Sequence, residues 1–236
     1  MRFFERFTTV TKVLIAGAAL ASVLTACKRG SDDQDIQASG LAMIHASPDA
    51  QALDFVVDNT RANQKDFKLD SAIQYLAAYP GNRRLGVTAK GSSTFLTQNY
   101  YNLTPGKFYS AFVIGKAASL DLLVMEDKLV APASGKARVR FLNLSPDAAA
   151  LDLTINGREG KLATARAFKE YTEFADIEPG EGLTLVVTES ANPQVTASRT
   201  TVSLSAGKVY TIWARGLKSA TDNTRLGIGV MLNSNQ

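Results

Sequence analysis

The stretch HASPDAQALD, His45 to Asp54, returns as NLSPDAAALD, Asn143 to Asp152, with seven of ten positions identical at an offset of 98 residues. Further along, Pro80-Gly81 falls opposite Pro179-Gly180 at an offset of 99, and Gly106-Lys107-Phe108-Tyr109 falls opposite Gly207-Lys208-Val209-Tyr210 at 101. A period that drifts by one or two residues is what small loop insertions produce in a tandem duplication. Each copy, of about 95 residues, is large enough to own a core. The copies are expected over residues 40–131 and 135–236, and Ala131-Pro132-Ala133-Ser134-Gly135 reads as a short, restrained hinge between them.

Within each copy the apolar period is mostly two: Leu41, Met43, then Leu53, Phe55, Val57, against Val139, Phe141, then Leu151, Leu153, Ile155. That is strand alternation. Turn residues interrupt it at Ser47-Pro48-Asp49, Asp58-Asn59, Pro80-Gly81-Asn82, Lys90-Gly91-Ser92 and Pro105-Gly106, and Asn156-Gly157 is a strong hairpin signal. The pattern predicts an all-β chain of two tandem immunoglobulin- or fibronectin-like antiparallel β-sandwiches. Leu103-Thr-Pro-Gly-Lys-Phe-Tyr109 resembles the E–F corner of fibronectin-type sandwiches, and Leu204-Ser-Ala-Gly-Lys-Val-Tyr210 repeats it with Ala for Pro. Tyr109 and Tyr210 are therefore expected as structural corner tyrosines, each ring filling the corner while its hydroxyl meets a backbone group upstream. Phe112 and Trp213, three residues further on, read as core aromatics.

The N-terminus reads as an export signal. Arg2, Arg6 and Lys12 precede an apolar run from Val13 to Leu24, too short to span a bilayer comfortably, and the run ends in Leu24-Thr25-Ala26-Cys27. That tetrapeptide resembles the bacterial lipobox, so residues 1–26 read as a lipoprotein signal peptide. Cys27, the only cysteine, is the expected lipidation site, and the membrane lipid reached through it the first partner. Residues 27–39 are polar and read as a lipidated tether. Lys28, in place of an aspartate after the cysteine, and the Asp32-Asp33 pair favour the outer membrane over other parts of the bacterial cell envelope.

An apolar strand ending in His/Asn-x-Ser-Pro-Asp-Ala, then Leu-Asp, then a Gly-Lys-x-Tyr strand resembles a bacterial domain-of-unknown-function family. That family occurs as tandem immunoglobulin-like copies in envelope lipoproteins and secreted proteins. The resemblance covers residues 40 to 233 and implies a β-sandwich in the envelope, with no established activity. Copy one departs from copy two at Asp58-Asn59, where copy two has Asn156-Gly157.

The repeated turn holds the candidate site residues: His45, Ser47, Pro48, Asp49 and Asp54 in copy one, Asn143, Ser145, Pro146, Asp147 and Asp152 in copy two. Pro48 and Pro146 fix φ and extend the serine before them, while the Asp and Ser side chains are suited to accept backbone N–H bonds within the turn. Asp54 and Asp152 have the opposite parity to Leu53 and Leu151, so they face away from the core or cap a loop. The bland role is a stabilising corner. The sharper one is a carboxylate rim, with Asp58 and Asn156 completing it, able to take calcium through oxygen ligands. His45 alternates with Asn143; both can donate and accept, which suits tethering of the turn.

A formal charge of +4, which becomes +2 once Arg2, Arg6, Lys12 and Glu5 are removed with the signal, is no field for nucleic acid. One cysteine and one histidine leave no disulfide framework and no Cys/His zinc cluster. Neither a nucleophile elbow nor a Walker loop occurs, and Gly227-Ile-Gly229 lacks the third glycine of a dinucleotide turn, so no cofactor is expected. Arg83-Arg84 and Arg138/Arg140 read as solvated strand faces. The function expected is a non-catalytic binding or scaffolding lipoprotein whose partner is an envelope protein or glycan. The alternative is an envelope carbohydrate or ester hydrolase using loop carboxylates or His45.

Overall fold

The computed structural model describes residues 37–233; Cys27, the expected signal peptide and most of the expected tether lie outside them. The first module is built from β1 (Ser39–His45), β2 (Leu53–Val57), β3 (Thr60–Arg61), β4 (Ala72–Ala78), β5 (Gly81–Ala89), β6 (Phe95–Leu103), β7 (Phe108–Ile114) and β8 (Asp121–Glu126). The second repeats it with β9 (Ala137–Asn143), β10 (Leu151–Ile155), β11 (Ala163–Arg166), β12 (Ala175–Ile177), β13 (Gly180–Glu189), β14 (Asn192–Leu204), β15 (Val209–Arg215) and β16 (Gly227–Leu232). Among the described residues the one helical element is a 3₁₀ turn, Ala117–Ser119.

Each module is a sandwich of two four-stranded sheets. Module one has β4-β1-β7-β8 and β3-β2-β5-β6; module two has β12-β9-β15-β16 and β11-β10-β13-β14. The all-β sandwich expected from the sequence is what the chain forms. The ladders are antiparallel except at one place per module, where β1 runs parallel to β7 and β9 runs parallel to β15. Parallel neighbours need a long connection, and here the five strands between β1 and β7 supply it.

The alternation of side chains across a strand sorts the buried residues into three cores. Leu41 and Met43 of β1, with Tyr109, Ala111 and Val113 of β7, face Leu53, Phe55, Leu85 and Val87 inside the first sandwich. Val139 and Phe141 of β9, with Tyr210, Ile212 and Ala214 of β15, face Leu151, Leu153, Leu185 and Val187 inside the second. The opposite faces of the same strands do not meet water. Ala42, Ile44, Phe112 and Ile114 pack against Leu142, Leu144, Trp213 and Met231 in a third core between the modules. The sheets thus stack in four layers, with β4-β1-β7-β8 and β12-β9-β15-β16 in the middle.

This third core bears on three expectations. The seam does not act as a hinge, because two apolar sheet faces are pressed together on either side of it. Phe112 and Trp213 are buried aromatics, but they meet edge to face, ring centroids 6.4 Å apart, in the core between modules rather than inside either sandwich. Arg140 is not solvated: it projects from β9 into the same interface and is almost wholly enclosed. Arg138, one turn of the pleat away, stays half-buried and pairs with Asp176 at 3.3 Å.

Across the interface runs a closed hydrogen-bond circuit. Arg140 pairs with Asp127 at 2.6 Å and donates to Ser110 Oγ (3.1 Å) and Thr211 Oγ1 (3.0 Å). Thr211 donates to Asn233 Oδ1 at 2.7 Å, Asn233 Nδ2 donates to Tyr75 Oη at 2.7 Å, and Tyr75 donates to Asp127 Oδ2 at 2.5 Å. Burial, reinforced by Asp127, holds the Tyr75 hydroxyl protonated well above its ordinary range. A buried charge is tolerated when it is paired and its remaining hydrogen-bonding capacity is met, and Arg140 meets both conditions.

Candidate functional site

The levels at which residues meet across the interface fix how the modules lie. Ser110 and Thr211 both reach Arg140, and Phe112 touches Trp213. The ends also agree: Asp70 pairs with Arg215 at 3.2 Å and Asp121 with Lys169 at 2.8 Å. The strands β7 and β15 therefore run the same way, and both Ser-Pro-Asp turns arrive at one end of the stack. The other end carries the tyrosine corners and the entry of the chain, where Gly106 N–H donates to Ala38 C=O.

At the motif end the turns serve as caps. Asp147 accepts from Lys218 N–H (2.8 Å), Ser219 N–H (3.1 Å) and Ser219 Oγ (2.8 Å). Burial alone would raise its pKa, yet these donors win and hold the carboxyl below its usual range. Asp49 makes the corresponding contact in module one, accepting from Ala117 N–H at 2.8 Å. Both aspartates thus bond the loop after the parallel strand, and within its own turn Asp147 adds only a long contact from Ser145 Oγ at 3.5 Å. Ser145, fully buried, donates from Oγ to Gly216 C=O at 2.7 Å. Ser47 is equally buried, and its hydroxyl has no partner among the described residues. Pro146 lines the cleft described below.

His45 and Asn143 differ in what they do. Asn143 tethers its turn in three directions, donating to Ala149 C=O (3.2 Å) and Arg166 C=O (2.9 Å) and accepting from Ser145 N–H (3.1 Å). His45 is 0% exposed and neither ring nitrogen is within hydrogen-bonding geometry of a partner; the ring instead meets Phe67 edge-on, 5.2 Å between centroids. The tether expected of the pair is thus made by Asn143, while His45 fills space. Burial lowers its pKa to about 4, so the ring is neutral at physiological pH.

Asp54 and Asp152 point to the outer faces of their sheets, as their parity demands, and capping loops bury both. Asp152 accepts from Ala165 N–H (2.8 Å), Ser190 Oγ (2.7 Å) and Lys161 Nζ (2.6 Å); Asp54 accepts from Gly91 N–H (2.8 Å) and Asn63 Nδ2 (3.3 Å). Asp58, the third member of the suggested calcium rim, is occupied by Arg83 at 3.2 Å and by Arg84 N–H at 3.0 Å. These carboxylates do not converge, and among the described residues no cluster of three His, Cys, Asp or Glu side chains is placed to hold a metal ion. At the opposite end Tyr109 Oη accepts from Thr104 N–H and Tyr210 Oη from Ser205 N–H, each at 3.0 Å.

Between the second motif turn and the loop after β7 lies a cleft of about 410 Å³ whose walls come from both modules: Lys116, Ser119 and Asp121 on one side, Pro146, Phe168 and Lys169 on the other. The hydrogen bond from Lys169 holds the Asp121 carboxyl below its usual pKa and closes one side of the cleft. Glu189, which the sequence reading did not single out, is a further cap at this end, accepting from Ala149 N–H at 2.7 Å and Lys218 Nζ at 2.8 Å. It lies 40 residues from one partner and 29 from the other, so no local spacing marks it.

Residues 39–154 match the family model described as a domain of unknown function, DUF4397. The match takes in all of module one and continues into β10 of module two. No curated protein matches the chain. Among solved structures the chain is similar to an alpha-glucan-binding streptococcal virulence factor, at 10% identity over 79% of this chain and 97% of that one, with a TM-score of 0.24. It is similar also to family 41 carbohydrate-binding modules from streptococcal virulence factors, at 9% identity over 81% and 96%, TM-score 0.24. A candidate cell-adhesion protein of Bacteroides fragilis matches at 10% identity over 80% and 85%, TM-score 0.23. Likenesses at these TM-scores establish neither a common topology nor a common site.

Proposed function

We propose that the chain is a lipid-anchored, non-catalytic binding protein of the bacterial cell envelope, in the outer membrane, whose rigid double sandwich holds its motif end toward an envelope partner. The observation that carries this reading is the opposition of the two ends. The chain enters beside the tyrosine corners, where Ala38 bonds Gly106, while the Ser-Pro-Asp turns and the cleft beside the second of them lie at the far end. A tether of about twelve residues at roughly 3.3 Å each would let that end stand clear of the lipid. The chemistry at the motif end favours holding over reacting. His45 is buried and neutral, beyond the reach of a substrate, and Asp49, Asp54, Asp147 and Asp152 are engaged by N–H and Nζ donors rather than poised as acid–base pairs.

The test is performed in intact cells. A clickable palmitate analogue is expected to label the chain and to leave Cys27→Ser unlabelled. A photo-cross-linker at Ser119, on the cleft, is expected to capture envelope material that one at Lys107, beside the chain entry, does not. Palmitate-independent fractionation with membranes, or equal capture from both positions, contradicts the reading.

A further inference from the structure

We propose that the outer face of the β3-β2-β5-β6 sheet binds an acidic oligosaccharide. The proposal rests on the binding-protein reading above and adds to the motif end a second surface, with the ligand class it takes. This sheet is the outermost layer of module one, on the side away from module two, so its outward side chains meet solvent.

The face is a flat platform with a groove beside it. Gly86 lies in β5, one of the two inner strands, and an added Cβ there would stand 2.5 Å from the Phe95 ring and 2.9 Å from Gln98 Cβ. The missing side chain is what allows the Phe95 ring to lie across the sheet. The Arg84 guanidinium sits 4.7 Å from the centre of that ring, steered by Nη2 donating to Asp58 C=O (2.8 Å) and Asn59 Oδ1 (2.5 Å). Tyr100, directly opposite Arg84 in the register, is 61% exposed and extends the surface, with the Gln98 amide two residues back on the same face. Alongside runs a groove of about 230 Å³ floored by Val56 and Thr88 and edged by Asn59, Arg61, Ser92 and Phe95.

Aromatic planes with a few converging polar groups are how proteins hold polyhydroxylated rings, the apolar face of the sugar on the ring and its hydroxyls on amides. The charge selects among sugars. The Arg84 guanidinium is met by neutral oxygens, the neighbouring Asp58 carboxylate being paired with Arg83, and Arg61 faces the one carboxylate of the groove, Asp54, at 3.6 Å. Two guanidiniums against one carboxylate leave a positive excess, and a guanidinium suits a sugar carboxylate in bidentate geometry. The duplication supplies a comparison surface. In module two the matching positions are Val186 opposite Ser198 where module one has Gly86 opposite Gln98, and Thr188 opposite Thr196 where it has Thr88 opposite Phe95. The ring, the amide and the glycine beneath them belong to module one alone.

The experiment is calorimetric titration of the full chain in detergent micelles with hexagalacturonate and, separately, maltohexaose. Hexagalacturonate is expected to bind and maltohexaose to bind at least tenfold more weakly. Tyr100→Ala and Arg84→Gln should each weaken hexagalacturonate at least tenfold with an unchanged circular dichroism spectrum, and Thr196→Ala should leave it as in the parent. Equal affinity for the two hexamers, no binding of hexagalacturonate, or parental affinity in the Tyr100 and Arg84 variants overturns the proposal. If any of these occurs while the Ser119 cross-linker still captures its partner, the surface is wrong and the binding-protein reading stands.

Discussion

Arg140 and Asp127 lie 2.6 Å apart across the boundary between the modules, their side chains 3% and 0% exposed. The duplication makes the pair asymmetric. The register places Ala42 in β1 where Arg140 stands in β9, since Ala42 lies opposite Ser110 and Arg140 opposite Thr211. Asn233 likewise answers to Asp127: each donates its N–H to the first residue of the parallel strand, Val209 and Phe108. Two nearly equivalent sheet faces thus meet, and one charged pair distinguishes them.

Removing one partner leaves the other buried and uncompensated, which costs about 3–5 kcal/mol in comparable pairs. Arg140→Met and Asp127→Leu are each expected to lower the unfolding free energy in urea by that amount. The double variant, which leaves no orphan charge, should lose less than the sum of the two.

Gly229 lies opposite Trp213, and a Cβ there would fall 2.0 Å from the indole. Gly229→Ala must displace Trp213 from the interface core, at a cost of roughly 1–3 kcal/mol for overpacking. The check is intrinsic fluorescence: Trp213 is the sole tryptophan, and its emission should shift to the red in the variant.

The pH dependence follows from His45, the one histidine in the chain. Its pKa falls from 6.5 to about 4 on folding because burial disfavours the imidazolium. The unfolded state therefore binds the proton first. The stability is present in full above pH 6.5 and is lost as pH drops from there toward 4, by on the order of 3 kcal/mol. His45→Asn, which installs the residue module two carries at Asn143, should flatten urea midpoints between pH 6.5 and 4.5. A variant whose midpoint falls with pH as steeply as the parent's would contradict the assignment.

Tyr109→Phe and Tyr210→Phe each remove the acceptor of one backbone N–H, from Thr104 and Ser205. A loss of about 1–2 kcal/mol per site is expected in thermal or urea unfolding. Asp147→Ala removes the acceptor of three donors from Lys218 and Ser219 and should cost at least as much, with faster hydrogen exchange at those two amides as the local readout.

The sandwich class was legible because period-two patterning and turn residues are local signals. What escaped the sequence was the partner of each outer face. Arg138 and Arg140 alternate with Val139 and Phe141 as a solvated face would, and only the packing of Ser110, Asp127 and Thr211, up to 71 residues away, makes Arg140 internal. A signal was present. β1 reads SGLAMIH and β7 reads FYSAFVI, with small or apolar residues at nearly every position, the composition of strands covered on both sides. In the repeated turn the residue types were visible but not their roles: Asp147 bonds residues 71 and 72 positions downstream, and nothing local told His45 from Asn143.

The rigidity of the four-layer stack is tested most directly by the emission of Trp213, which sits in the core between modules, followed beside far-ultraviolet circular dichroism through a urea titration. One locked unit gives two coincident transitions with a single midpoint. Trp213 reaching water at a urea concentration where the strand signal is still intact would show the modules parting before either unfolds, and would contradict the account.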